Sequence, residues 1–152
     1  MRVGFIGLGN VGAKLSGSLL RNGVDLYVHD LETELVAGFV ARGARDGGSP
    51  AQLMQACETV ITCLPSPAAC AVVMEQMLPE MVPGKTWIEM STTDASEVRR
   101  LAEQVNAVGA EAVEYPVSGT KPLTRDGWYD HCITGQQTFV ANTTPEFARY
   151  FF

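Results

Sequence analysis

Arg2-Val3-Gly4-Phe5-Ile6-Gly7-Leu8-Gly9-Asn10-Val11-Gly12 follows directly on Met1, and the rest of the chain can be laid out from it. Arg2–Ile6 is a short apolar run broken by Gly7-Leu8-Gly9, the pattern of a buried strand meeting a tight turn. Beyond the turn Val11, Leu15 and Leu19 recur every four positions, the stripe of an amphipathic helix that Asn22-Gly23 closes. Glycines 7, 9 and 12 therefore form Gly-x-Gly-x-x-Gly between a strand and a helix. The first permits the turn, the second lets a pyrophosphate approach the backbone, and the third lets helix and strand pack closely. The helix start then offers unpaired N–H groups and a positive dipole end to phosphates. Gly7, Leu8, Gly9, Asn10, Val11 and Gly12 are thus a candidate dinucleotide cradle. Asp30 stands 18 residues after Gly12, where a carboxylate accepts hydrogen bonds from the adenosine ribose hydroxyls. The plainer alternative makes the glycines turn punctuation and Asp30 a solvated helix-start residue; the strand–glycine–helix context favours the cradle.

Outward from this stretch, strands and helices alternate. Asp25–His29 is a second strand, ending at Asp30, and Leu35, Val36, Phe39 and Val40 form a helical face that stops at Gly43. Ser49-Pro50-Ala51-Gln52 is a capping box with proline at the first helical position. Residues 59–64 (Thr-Val-Ile-Thr-Cys-Leu) are β-branched or apolar on both faces, as in a central parallel strand. Ser66-Pro67 repeats the helix start for a segment carrying Val72, Val73 and Met77. Residues 85–90 form another strand, Asp94 with Glu97 caps a helix carrying Val98, Leu101, Val105 and Val108, and residues 111–115 form the last strand. This alternation predicts an α/β fold, a Rossmann-type doubly wound parallel sheet with helices on both faces.

Composition narrows the function. The 152 residues suit one domain, 46% of them are hydrophobic, and 18% are charged, which excludes a disordered chain. A net charge of −6 argues against a general nucleic-acid or acidic-membrane surface. No run of 18 apolar residues is present to span a membrane, and the ordered pattern at the N-terminus leaves no room for a signal peptide. Cys57, Cys63, Cys70 and Cys132 lack a Cys-x-x-Cys spacing and, with only His29 and His131, give no metal pattern. They read as buried thiols of a cytoplasmic protein. Asp30 would repel a 2′-phosphate, and Leu31-Glu32-Thr33-Glu34 supplies no arginine to receive one, so NAD is favoured over NADP.

Four motifs in order resemble the β-hydroxyacid dehydrogenase family, of the 3-hydroxyisobutyrate dehydrogenase type. They are Gly-Phe-Ile-Gly-Leu-Gly-Asn-Val-Gly at residues 4–12, Cys-Leu-Pro at 63–65, Ser-Thr-Thr-Asp at 91–94 and Tyr-Pro-Val-Ser-Gly at 115–119. The resemblance covers about residues 1–127 and implies an NAD-dependent oxidoreductase acting on a short β-hydroxyacid or semialdehyde. It implies that Leu64 and Pro65 line the cofactor, that Thr92 sits near the nicotinamide ribose, and that Ser118, Gly119 and Thr120 hold the substrate carboxylate. Thr120 itself departs from the family, which has a second glycine there. Without the resemblance, the same residues read as strand ends, a helix cap and a turn.

After Gly127 the expected strand and the family's all-helical domain are not recognisable. The division expected is a dinucleotide-binding domain at residues 1–127 and an atypical tail at 128–152, which holds seven of the twelve aromatic residues. The family's catalytic lysine and neighbouring asparagine belong to that helical domain, and none of Lys14, Lys85 and Lys121 stands in the motif. No catalytic residue is assigned, and the chain alone is expected to turn over poorly, because reduction of a carbonyl needs a proton donor. The alternative is a nucleotide-binding module without catalysis. Surface left open without the helical domain is expected to be covered by the aromatic tail or by a second copy in a homo-oligomer.

Overall fold

Strands whose residues are apolar on both faces must be covered twice, and the chain supplies that cover by crossing from one face of a sheet to the other. The computed structural model describes residues 1–91 and 94–114. In chain order these form β1 (Arg2–Ile6), α1 (Gly12–Arg21), β2 (Asp25–His29), α2 (Thr33–Val40), β3 (Arg45–Asp46), α3 (Pro50–Ala56), β4 (Thr59–Thr62), α4 (Pro67–Met77), β5 (Thr86–Glu89), α5 (Ala95–Ala107) and β6 (Glu111–Glu114). A short 3-10 turn, Leu78–Glu80, follows α4. The strands pair in the order β3-β2-β1-β4-β5-β6, and every pairing is parallel. From β1 the chain winds outward to β2 and β3, then returns across β1 to β4. The crevice for a ligand therefore opens between β1 and β4, beyond the carboxyl ends of the strands.

Alternation along each strand builds two cores. Val3, Phe5, Leu26, Val28, Ile61 and Ile88 face α1 and α2, where Leu15, Leu19, Val36 and Phe39 meet them. Ile6, Val60, Trp87 and Ala112 face α3, α4 and α5 through Leu53, Met74, Met77, Leu101 and Val105. The doubly wound α/β sheet with helices on both faces is the architecture read from the sequence.

Helix starts follow the capping residues. Ser49 Oγ accepts from the Gln52 amide while Gln52 Oε1 accepts from the Ser49 amide, a complete capping box. Ser66 Oγ accepts from the Ala69 amide, and Asp94 accepts from the amides of Ser96 and Glu97. Glu97 itself turns away to Arg100. The far end of α3 is held by a residue distant in sequence: Lys85 Nζ donates to the carbonyls of Met54, Gln55 and Cys57 at 2.6, 3.0 and 2.8 Å. Three cation-assisted bonds thereby satisfy carbonyls that a helix end leaves without partners.

The structure differs from the sequence reading in several places. β3 is a two-residue edge strand with both residues exposed, so it carries no hydrophobic pattern; Arg45 is held instead by an ion pair to Asp25 and by stacking over Tyr27. On α4 the buried face is Cys70, Met74 and Met77, whereas Val72 is exposed, because the helix turns that valine toward the crevice. Val108 is the partly exposed C-cap of α5 rather than part of its buried stripe. On α2 only Val36 and Phe39 are buried; Leu35 and Val40 are exposed. Among the described residues no helix is long and apolar enough to cross a membrane.

Candidate cofactor-binding site

The glycine turn sits where β1 ends, and its geometry separates the three glycines by role. Gly7 has φ +97°, and a side chain there would put its Cβ 2.3 Å from the Cys63 carbonyl oxygen. At Gly12 a Cβ would fall 1.8 Å from the Gly7 carbonyl oxygen, so any residue but glycine would push α1 off the turn. Around Gly9 the same test meets no atom within 4 Å. Space, rather than packing, surrounds the second glycine, as a pyrophosphate would require. No side chain caps α1, and the amides of Gly9, Asn10, Val11 and Gly12 have no acceptor among the described residues. Unpartnered N–H groups at a helix start, beside open space, suit an anion.

These amides border a cleft of about 1100 Å³ that runs over the carboxyl ends of β2, β1, β4 and β5. On the β2 side it is bounded by His29, Asp30, Leu31 and Glu32. Asp30 Oδ2 accepts from the Leu8 amide at 2.6 Å and Oδ1 from the Glu32 amide at 2.9 Å. The carboxylate thus braces the glycine turn, and its remaining lone pairs can still accept from ribose hydroxyls. His29 Nδ1 hydrogen-bonds to the Gly48 carbonyl, which orients the ring at the cleft edge. Two carboxylates and no lysine or arginine line the cleft among the described residues.

On the opposite side the wall comes from the turns after β4 and β5. Leu64 and Pro65 lie there, with Cys63, Met90 and Ser91. Behind this wall a polar chain crosses the sheet interior. The Trp87 indole N–H donates to Thr62 Oγ at 2.8 Å, Thr62 Oγ donates to Glu89 Oε2 at 2.7 Å, and Glu89 Oε1 accepts from the Ser91 amide at 2.6 Å. Ser91 Oγ in turn accepts from the Leu64 amide at 2.7 Å. Glu89 is 1% exposed. Burial raises its pKa above the ordinary carboxylate value, opposed by the hydrogen bonds from Ser91 and Thr62. Burial likewise pushes the nearby Cys63 thiol up to about 11 and Cys70 to about 12, so neither is a ready nucleophile.

Of the residues singled out in the sequence, Gly7, Gly9, Asn10, Val11, Gly12, Asp30, Leu64 and Pro65 come together around this one cleft. Leu8 does not line it; its side chain is in the core, and its amide is the donor to Asp30. Thr92, Ser118, Gly119, Thr120 and the tail at 128–152 lie outside the described residues. The sequence reading missed Ser91 as a brace for Leu64, and it missed Glu89. Their signal was present as polar residues, Thr62 and Glu89, inside otherwise apolar strands that pair in register.

Comparison with known proteins adds the family. Residues 2–150 match the family described as the NAD binding domain of 6-phosphogluconate dehydrogenase. Glyoxylate/succinic semialdehyde reductase 1 of Arabidopsis thaliana is 34% identical over 150 residues, covering 97% of this chain and 52% of that protein. The human cytokine-like nuclear factor N-PAC is 33% identical over 129 residues, covering 83% of this chain and 23% of that protein. A Mycobacterium tuberculosis 3-hydroxyisobutyrate dehydrogenase, solved with L-serine, superposes with a TM-score of 0.72 at 27% identity, covering 78% of this chain and 40% of that one. The chain therefore spans about half or less of the length of these relatives. The glycine turn, the parallel sheet and these matches together show that the chain belongs to the NAD-binding-domain family of 6-phosphogluconate dehydrogenase, among the β-hydroxyacid dehydrogenases.

Proposed function

We propose that the chain binds NAD in this cleft and serves hydride exchange with a short β-hydroxyacid or semialdehyde. The observation that carries the reading is the row of unpartnered amides at residues 9–12, facing open space beside Gly9 with Asp30 across the turn. In it Gly7, Gly9, Asn10, Val11 and Gly12 form the pyrophosphate cradle while the Leu8 amide braces Asp30, Asp30 takes the adenosine ribose, and Leu64, Pro65 and Thr92 contact the nicotinamide half. Ser118, Gly119 and Thr120 receive the substrate carboxylate, on the strength of the family motif. Bound NAD supplies the hydride acceptor; the chain's own residues hold it and set its orientation. The two carboxylates of the cleft, unaccompanied by lysine or arginine among the described residues, support NAD over NADP. The three free thiols among the described residues, Cys57, Cys63 and Cys70, suit a reducing, cytoplasmic setting.

A second reading, nucleotide binding without catalysis, is favoured by the relatives named as a nuclear factor rather than for a reaction. It is also favoured by Lys85, whose ammonium is committed to the end of α3. Titration calorimetry with NAD and NADP, followed by steady-state oxidation of 3-hydroxyisobutyrate, separates the two. Gly9→Val should abolish NAD binding, and Asp30→Ala should weaken it by about 1–3 kcal/mol while affecting NADP less. Tighter binding of NADP than of NAD to the unaltered chain would overturn the cofactor assignment, and binding without turnover would favour the second reading.

A further inference from the structure

We infer that Glu89 is a positioning residue for the nicotinamide half of the dinucleotide, a role that rests on the NAD reading above. The strand order places the two halves of the ligand. Pyrophosphate at the glycine turn lies over β1, and the ribose at Asp30 lies over β2. The other half must therefore extend the opposite way, over β4 and β5, where the cleft is walled by Leu64, Pro65 and Ser91. The ladder runs only one residue past each strand, with the Cys63 amide donating to the Ile6 carbonyl at 2.9 Å and the Met90 amide to the Thr62 carbonyl at 2.8 Å, and it stops short of Leu64, Pro65 and Ser91. Beyond the ladder, the side chain that ties the two strand ends together is one carboxylate. Its Oε2 takes the hydroxyl hydrogen of Thr62, on β4, and its Oε1 takes the amide hydrogen of Ser91, beyond β5. Ser91 then carries the connection back across to β4 by accepting from the Leu64 amide.

The direction of the chain is settled by chemistry. An indole N–H can only donate, so Trp87 makes Thr62 an acceptor, and the single hydrogen of Thr62 goes to Glu89. Glu89 must then accept on both oxygens, which a carboxylate does and an amide cannot. An apolar pair of this volume would suit the core better, because a buried acid is costly unless every acceptor is used. The acid stands here with its acceptors used: Oε2 holds Thr62 at the end of β4, and Oε1 holds Ser91, which braces Leu64 in the wall of the cleft.

The test compares NADH with ADP, which lacks the second ribose and the nicotinamide and so spans only the glycine turn and Asp30. Glu89→Gln replaces one acceptor oxygen by a donor and so gives up one of the two bonds that tie Thr62 to Ser91. NADH affinity is expected to fall roughly tenfold, as for one lost charge-assisted bond, while ADP affinity stays unchanged. Partial unfolding lowers both affinities by one factor and leaves their ratio fixed, so the ratio isolates positioning from stability. Should Glu89→Gln fail to fold, Glu89→Asp keeps the charge but shortens its reach, and the same selective loss is expected. A parallel fall in both affinities, or no change in either, would overturn the inference. Failure of the unaltered chain to bind either ligand would instead overturn the cofactor reading on which it stands.

Discussion

Glu89 and Asp94 carry the same functional group into opposite surroundings, and stability should depend on pH in opposite senses through them. Burial raises the pKa of Glu89, so the folded state holds its proton after the unfolded chain has released it. Its contribution is complete below the ordinary carboxylate range and is lost as pH rises through the raised value. Asp94 is exposed, and hydrogen bonds from the Ser96 hydroxyl and then the Ser96 and Glu97 amides lower its pKa. Its contribution is present at neutral pH and is lost as pH falls through the lowered value. Denaturant unfolding across roughly pH 3 to 8 should show this directly. Relative to the unaltered chain, Glu89→Gln should gain stability with rising pH, and the cost of Asp94→Asn should fade as the solution is acidified. Parallel profiles for the two variants would contradict the assignment.

At the scale of elements, α3 is pinned at both ends, and only one pin was legible. Ser49, Pro50 and Gln52 announce its start, because capping is local and its residues lie within four positions. Lys85 secures its finish from 28 residues beyond Cys57, a distance that no spacing rule reads. Lys85→Met, which keeps the aliphatic stem, should destabilise the chain by about 1.5–3 kcal/mol in urea unfolding. Lys14→Met, at an exposed position of α1, is the control and should change stability by less than about 0.5 kcal/mol. Equal effects would remove the cap from the account. The same contrast explains what else was readable. Strand starts, the glycine turn and Asp30 are local signals, so the doubly wound parallel architecture and one side of the cleft followed from them. The edge strand Arg45–Asp46 is held by a polar pair and has no periodicity to detect. The wall beyond β4 and β5 depends on Thr62 meeting Glu89 across the sheet, which becomes visible only once the strands are placed in register.

For the whole molecule, the cleft lies where the two windings of the sheet part. The β2 half is held through Asp30 and the β5 half through Glu89, with β1 and β4 between them. A ligand that spans the cleft binds only the assembled sheet, so it must stabilise the fold by mass action. NAD at a hundred times its dissociation constant should add about 2.7 kcal/mol, raising Tm by about 5–10 °C. Thermal unfolding followed at several NAD concentrations checks this, and an unmoved Tm at saturating NAD would mean that the cleft is not the binding site. Gly9→Val should lose most of the rise.

The indole of Trp87 gives this arrangement an optical handle. It is 2% exposed, and its N–H reaches Glu89 through a single hydroxyl. Emission from a sealed indole responds to the charge at the end of its hydrogen bond. With Trp128→Phe leaving Trp87 as the sole fluorophore of its kind, the ionisation of Glu89 becomes a colour change that needs no added dye. Reduced nicotinamide absorbs where tryptophan emits, so the same ring can report the cofactor's arrival by handing over its excitation across the wall between them.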